Sequence, residues 1–221
     1  MMDLVFNERT IGAKDWATIL FVLCLALLAI NRNVFEVRFN EFIKLAYSDK
    51  YTKIYKDSSN MMSWFTISLF IIQLISFSFL IQFLLNYYGV VEKTSWISYI
   101  QIITLTGVFI LSKYLIEKII ATAFKIEEFN EQFNLYKVNY RTYIGLILLP
   151  VNIILFYNQQ PQPLVLYIII GIILATALYS YLVSLRIYQN LILSKLFYFI
   201  LYLCALEIAP YYFIYYWFTN S

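Results

Sequence analysis

Long apolar segments separated by shorter polar ones dominate this sequence. A helix needs about 20 mainly apolar residues to cross a bilayer, at a rise of about 1.5 Å per residue. The apolar segments predict about six such spans, near residues 14–31, 62–87, 96–118, 141–158, 163–185 and 191–218. They are continuous and do not alternate with a period of two, which excludes a transmembrane β-barrel. We therefore predict an all-α, polytopic transmembrane helical bundle that forms a single integral membrane domain over residues 1–221.

The first apolar segment has an alternative interpretation as a removable secretory signal. Arg9 and Lys14 precede a short hydrophobic stretch, as in such signals. However, no small-x-small cleavage site precedes Asn31, and Leu23 directly before Cys24 fits a lipoprotein cleavage site poorly. We interpret this segment as a retained span.

Two polar segments, 33–57 and 119–140, are predicted to be cytoplasmic helices. In the first segment, aromatic side chains recur at helical spacing and charged side chains interleave on the other face, which is typical of an amphipathic helix. This aromatic stripe could face a partner protein, face the lipid of the inner leaflet, or pack on the chain's own second cytoplasmic segment. The aromatic stripe consists of Phe35, Phe39, Phe42, Tyr51 and Tyr55.

Composition agrees with a location in the membrane. Hydrophobic residues make up 62% of the chain and charged residues only 13%, whereas soluble domains carry about 25% charged residues. One small soluble domain could not bury so much apolar side chain. The net charge of +3 arises from segments that mix acidic and basic residues, which does not support nucleic-acid binding. The lipid bilayer is therefore the first predicted partner.

The residues on which most catalytic and metal sites depend are scarce. The chain has no histidine, which removes the commonest general base and metal ligand. Its two cysteines, Cys24 and Cys204, are widely spaced in apolar segments, and we interpret them as small hydrophobic residues. The sequence has no nucleotide-binding glycine loop and no paired metal-ligand spacing. We predict a non-enzymatic protein without a metal or another cofactor.

The distribution of basic residues predicts the orientation in the membrane. Of the 16 Lys and Arg residues, 13 fall on one side of the predicted topology, and the other side has only Arg9, Lys14 and Lys93. Because positive charge stays in the cytoplasm during insertion, both termini are predicted to be periplasmic. Aromatic residues at the outer ends of the spans, such as Tyr87 and Trp96, match an interfacial belt.

Glu207 is the one charged residue predicted near the middle of the membrane. It follows Lys195 by 12 residues in the last span. An unpaired carboxylate at that depth costs several kcal/mol, so we expect Glu207 to face the protein interior, either protonated and hydrogen-bonded or holding a cation. It could be a proton or cation site, a contact with a partner's span, or a neutral contact between helices. The polar residues predicted at similar depth are Gln73, Thr104, Thr106 and Asn152. Helix kinks are predicted at Pro150 and Pro210.

The last span also carries a resemblance to a known family. The segment from Leu201 to Pro210 reads Leu-Tyr-Leu-Cys-Ala-Leu-Glu-Ile-Ala-Pro and follows the aromatic lead-in at 197–200. With the pairs Asp15-Trp16 and Arg38-Phe39 and the segment 145–150, it resembles an uncharacterised family of Bacteroidota integral membrane proteins, labelled domain of unknown function 4271. The resemblance implies the inner membrane of a Gram-negative bacterium and places Glu207 and Pro210 on the family's signature. It implies no activity.

Two functional classes are compatible with these features. We expect a non-enzymatic inner-membrane accessory or structural subunit of a cell-envelope complex, which docks on a membrane-protein partner through its helices and the segment 33–57. Small size, the aromatic stripe and the scarcity of polar residues along a solute path favour this class. The alternative is a small proton- or cation-coupled transporter or lipid-handling carrier that uses Glu207, with helices broken at Pro150 and Pro210 around the cavity.

Overall fold

The computed structural model describes residues 14–46, 51, 54–55, 63–123, 127–158, 167–176 and 178. Within these residues the chain is helical and has no strand. The described helices are α1 (Asp15–Val34), α2 (Glu36–Ile43), α3 (Trp64–Tyr87), α4 (Trp96–Ala123), α5 (Glu127–Tyr157) and α6 (Tyr167–Thr176). A 3-10 turn at Lys44–Ala46 follows α2. The predicted all-α fold is confirmed for this part of the chain.

Four helical segments in the described ranges are long and apolar enough to cross a membrane. They are α1, α3, α4 and residues Asn134–Tyr157 of α5. These segments overlap the first four predicted spans. Of the predicted span 163–185, only α6 and residue 178 are described, and the predicted span 191–218 lies outside the described residues.

Helices α4 and α5 are longer than the spans predicted within them. They contain 28 and 31 residues, or about 42 Å and about 46 Å at 1.5 Å per residue, against a hydrocarbon thickness of about 30 Å. The described residues of the segment 119–140 continue the third predicted span to the end of α4 and then form the start of α5. Apolar residues at helical spacing, such as Leu115 and Ile119, carry α4 past Lys113 without a break.

One end of the bundle brings together the end of α1, the start of α3, the second half of α4 and the first half of α5. The Phe35 and Phe65 rings pack with centroids 5.7 Å apart, and Lys137 Nζ lies 3.6 Å from Glu117 Oε1. We call this the basic end, because its described residues include Arg32, Arg38, Lys44, Lys113, Lys118, Lys137 and Arg141.

The opposite end, which we call the aromatic end, joins the starts of α1 and α4 to the ends of α3 and α5. Trp16 Nε1 donates a hydrogen bond to Thr94 O at 3.1 Å, and Lys93 Nζ donates one to Asn158 O at 2.7 Å. Burial lowers the pKa of Lys93, and the positive charge of Lys14 adds to this effect. Helices α1, α3, α4 and α5 therefore run alternately in opposite directions.

Aromatic side chains fill the interior close to the aromatic end. The Trp16 ring contacts the rings of Phe79, Trp96, Tyr99 and Phe156 at centroid distances of 5.0–5.9 Å. Each such ring pair contributes about 0.5–1.5 kcal/mol beyond the burial of apolar area. Trp16 thus ties α1 to α3, α4 and α5.

Helix α3 lies at the centre of the described bundle. It packs most extensively against α5 and next against α4. Its N-terminus is capped by the Ser63 hydroxyl, which accepts a hydrogen bond from the Thr66 N–H at 3.4 Å. Apolar residues surround this helix, which is typical of a buried helix. Its central position also brings its few polar side chains into the interior.

Candidate functional site

A seam of buried polar side chains runs between α3 and α5. Gln73 of α3 is fully buried, and Thr142 of α5 donates a hydrogen bond from Oγ1 to Gln73 Oε1 at 2.9 Å. Gly145 follows one turn later, and a Cβ atom at that position would lie 2.9 Å from Gln73 Cα. The missing side chain of Gly145 lets the two backbones approach closely, as small residues do between membrane helices.

The seam continues toward the aromatic end. Asn152 of α5 is fully buried and donates from Nδ2 to Ser76 O at 2.7 Å. Gln82 Nε2 donates to the carbonyl oxygens of Glu92 and Ser95 at 3.3 and 3.0 Å, which ties α3 to the turn before α4. Buried polar atoms without a partner are uncommon and costly. Among the described residues, four atoms of the seam have no hydrogen-bond partner: Gln73 Nε2, Ser76 Oγ, Asn152 Oδ1 and Gln82 Oε1.

The structure brings together only two of the polar residues predicted at mid-membrane depth. Gln73 and Asn152 both lie in the seam. Thr104 is exposed and Thr106 is half-buried on α4, and the hydrogen bonds of the seam involve neither. Depth along a helix can be counted from the sequence, but it does not specify the face, and Thr104 lies on the outward face of α4.

The predicted helix kinks and the predicted intramembrane carboxylate have different outcomes. Pro150 lies inside α5, which continues through it to Tyr157. It therefore removes one backbone donor without ending the helix. Glu207 and Pro210 lie outside the described residues, so their roles stay predictions.

The aromatic stripe of the segment 33–57 faces the protein interior. Phe39, Phe42 and Tyr51 are 4%, 1% and 2% exposed, and Phe35 and Tyr55 are half-buried against the core. The prediction that this stripe faces a partner or lipid is therefore wrong. The remaining interpretation, packing on the protein itself, describes the observed arrangement.

The surface under the stripe includes the second cytoplasmic segment, through residues such as Asn139 and Tyr140, and extends beyond it to the start of α3 and to Tyr143. The Phe42 ring contacts Phe65 at the start of α3 and Tyr143 within α5, at centroid distances of 5.9 and 6.1 Å. Tyr140 of α5 also donates a hydrogen bond to Leu45 O at 3.5 Å. Burial of large aromatic rings is energetically favourable, and α3 and α5 together form a surface that buries them.

Arg38 connects this segment to α3 through its guanidinium group. Its nitrogens donate hydrogen bonds to the hydroxyl oxygens of Ser63, Thr66 and Tyr51 at 2.9, 3.3 and 3.3 Å. The guanidinium carbon also lies 4.7 and 4.8 Å from the centroids of two aromatic rings, within the range of cation–π attraction. One side chain thus links α2, the residue 51 region and the first turn of α3.

A second buried polar cluster joins α4 to α5 at the basic end. Glu117 is 4% exposed, and its Oε1 lies 3.6 Å from Lys137 Nζ. Asn130 Nδ2 donates to Glu117 O at 3.5 Å, and Asn134 Nδ2 donates to Asn130 Oδ1 at 3.2 Å. This cluster was not predicted from the sequence. The available signal was the pair of asparagines four residues apart, which places both on one helix face.

The described side chains do not suggest a metal centre. Within the described ranges, no group of three or more His, Cys, Asp or Glu side chains is arranged to hold a metal ion. Amides and hydroxyls predominate in the seam, and such groups are suited to fixing the positions of neighbouring helices.

These features first define a class of protein. The chain is helical in its described part, has four segments able to cross a membrane, and is held together by aromatic rings and buried amides. It belongs to the family described as domain of unknown function (DUF4271), which matches residues 17–218. No curated protein and no solved structure matches the chain. The predicted membership of this family is confirmed, and the family description assigns no activity.

Proposed function

We propose that the chain is a non-enzymatic accessory or structural subunit of a complex in the bacterial inner membrane. The observation that carries this proposal is the apolar face of α4 beyond Lys113. Leu115 and Ile119 are 57% and 67% exposed there, at the basic end of the bundle. Burying such a side chain yields about 1.5–3 kcal/mol, so a helix of a partner protein gains from covering this face.

The same face of α4 continues through the membrane-length part of the helix. Single exposed apolar residues are ordinary, but a contiguous stripe marks an interaction surface. Lipid can cover the stripe inside the bilayer, so Ile119, which lies past the predicted span 96–118, distinguishes a protein partner from lipid better than Leu115, which lies within that span. The exposed residues of the stripe before Lys113 include Ile97, Leu105, Val108 and Leu111.

Site-specific photo-crosslinking in cells tests this proposal. A benzoyl-phenylalanine at Leu115 or Ile119 should form a cross-link to a second membrane protein of defined mass. The matched control is Asn40, an exposed polar position on α2 at the same end, which should give no such product. Cross-links from Ile119 that reach only this chain or lipid would contradict the proposal.

A second candidate function is supported by the unpaired atoms of the seam. As this second candidate, we propose that the chain is a small proton- or cation-coupled transporter or lipid-handling carrier that uses Glu207. Four buried polar atoms without described partners provide hydrogen-bonding capacity beside α5. In reconstituted vesicles, proton uptake should exceed that of empty vesicles and fall in both Glu207→Gln and Asn152→Leu. Uptake equal to that of empty vesicles excludes the proton-coupled form of this candidate.

A further inference from the structure

A crevice at the basic end has the chemistry of an anion site. It is a narrow gap between α2, α3 and α5. We propose that this crevice binds a phosphate group, either that of a phospholipid headgroup or a free phosphate. This inference is independent of the proposed function. The polar walls of the crevice are Arg38, Tyr51, Tyr55, Thr66 and Asn139.

The first argument is the supply of positive charge and hydrogen-bond donors. Arg38 is always charged, and its planar donor fork suits phosphate oxygens. Tyr51 OH accepts a hydrogen bond from Arg38 Nε, so its own proton is available for donation. Burial raises the pKa of the Tyr51 phenol, although the hydrogen bond from Arg38 opposes this. The phenol therefore keeps its proton at neutral pH.

The second argument is an unsatisfied donor on the opposite wall. Asn139 of α5 is 7% exposed, and its Nδ2 has no hydrogen-bond partner among the described residues. A buried amide left in this way costs about 1–3 kcal/mol. A phosphate oxygen accepting from Nδ2 would remove this cost. The Asn139 amide thus lacks an acceptor, and none of the described groups around the crevice supplies one.

The third argument is position relative to the membrane. Thr66 lies in the first turn of α3, and Asn139 lies early in the membrane-length segment Asn134–Tyr157. The crevice is therefore level with the membrane boundary at the basic end, where lipid phosphates lie. Trp64, two residues before Thr66 in the first turn of α3, is 80% exposed, as indole rings are at that boundary. The N-terminus of α3 adds the positive end of a helix dipole.

Binding requires a local movement, because the crevice as described has no space for a water-sized sphere. The half-buried Tyr55 ring forms one wall and lies 4.7 Å from the Arg38 guanidinium carbon. We expect this ring to move aside when a phosphate group enters. The rest of the wall is formed by Arg38 of α2, by Tyr51 and by residues of α3 and α5.

Native mass spectrometry of the purified, delipidated full chain tests the proposal. The probes are dioleoyl-phosphatidylglycerol and dioleoyl-phosphatidylcholine, and thermal unfolding with and without inorganic phosphate at matched ionic strength provides the arm for free phosphate. The variants are Asn139→Asp, which adds a repelling charge, and Asn139→Leu, which only removes the donor. Lys118→Gln is the matched control, because Lys118 is an exposed cation at the same end.

The wild type should retain phosphatidylglycerol at least about tenfold more tightly than Asn139→Asp, since a hydrogen bond to a charged group has this magnitude. Lys118→Gln should bind like the wild type. If Asn139→Asp weakens the binding of phosphatidylcholine as much as that of phosphatidylglycerol, the site recognises any lipid phosphate. If inorganic phosphate stabilises the wild type but not the Asn139 variants, the site recognises free phosphate. If no phosphate-bearing probe distinguishes the wild type from the folded Asn139 variants, or if Lys118→Gln loses binding equally, the proposal is overturned.

Discussion

At the scale of single residues, the contact between α3 and α5 depends on the missing side chain of Gly145. Gly145→Ala would place a Cβ atom 2.9 Å from Gln73 Cα, a backbone atom that cannot rotate away. We expect the free energy of unfolding in detergent to fall by about 1–3 kcal/mol, as for overpacked cores. This loss should exceed the gain in helix propensity of about 1 kcal/mol.

Gly171→Ala is the matched control for this prediction. A Cβ atom at Gly171 would meet no atom of the described residues within 4 Å, so mainly helix propensity changes, and stability should stay equal or rise slightly. Equal stability of the two variants would mean that α3 and α5 do not approach closely at Gly145.

The hydroxyl of Thr142 offers a second test at this scale. Thr142→Val keeps the shape of the side chain but removes the donor to Gln73 Oε1. The buried acceptor loses its partner, which should cost about 1 kcal/mol of unfolding free energy. In a double-mutant cycle with Gln73→Leu, the coupling should be about 0.6 kcal/mol, as found between membrane helices. Thr104→Val, at an exposed position, should leave the free energy of unfolding unchanged. An equal loss of stability in Thr104→Val would show that the loss in Thr142→Val does not come from the seam.

At the scale of elements, the sequence predicts that the helices exist but not which face of each helix points toward the interior. Each apolar segment is long enough to form a helix in lipid, so α1, α3, α4 and the last part of α5 follow from length and composition alone. Helix α3 is apolar on all sides, so no stripe in its sequence indicates which face meets α5. The polar seam could therefore be predicted only as depth: Gln73 and Asn152 lie in the seam, whereas Thr104 and Thr106 do not.

The aromatic stripe illustrates why the remaining contacts could not be predicted. Rings at helical spacing show that one face of the segment 33–57 is apolar, but lipid, a partner and the chain itself are equally apolar neighbours. The choice depends on the surface that α3 and α5 form together, where Phe65 and Tyr143 lie 23 and 101 positions away from Phe42 in the chain. Arg38 then holds the segment on that surface.

Replacing Arg38 tests how this element is held. Arg38→Lys keeps the charge but cannot make three hydrogen bonds to Ser63, Thr66 and Tyr51 at once. The attachment of α2 should weaken by about 1–2 kcal/mol, and backbone amide exchange at Phe42 should accelerate about tenfold. Lys44→Arg, at an exposed ion pair with Glu41, should leave exchange unchanged. Unaltered exchange in Arg38→Lys would show that the aromatic rings alone hold α2.

At the scale of the whole molecule, the alternation of helices separates charge between the two ends. The described basic residues at the basic end outnumber those at the aromatic end, where Lys14 and Lys93 lie. Because the ends are defined by contacts between helices, this asymmetry belongs to the folded bundle and not only to a count along the chain. The rule that positive charge stays in the cytoplasm then predicts that the basic end is cytoplasmic and that the chain begins in the periplasm.

Labelling of single cysteines tests this orientation. In a background with Cys24 and Cys204 replaced by alanine, Tyr88→Cys at the aromatic end and Asn40→Cys at the basic end both occupy exposed positions. A membrane-impermeant maleimide should label Tyr88→Cys in intact spheroplasts and Asn40→Cys only after lysis. The reverse pattern would place the basic end in the periplasm. The partner expected at Leu115 would then be a periplasmic one, and the lipid phosphates available to the Arg38 crevice would be those of the outer leaflet.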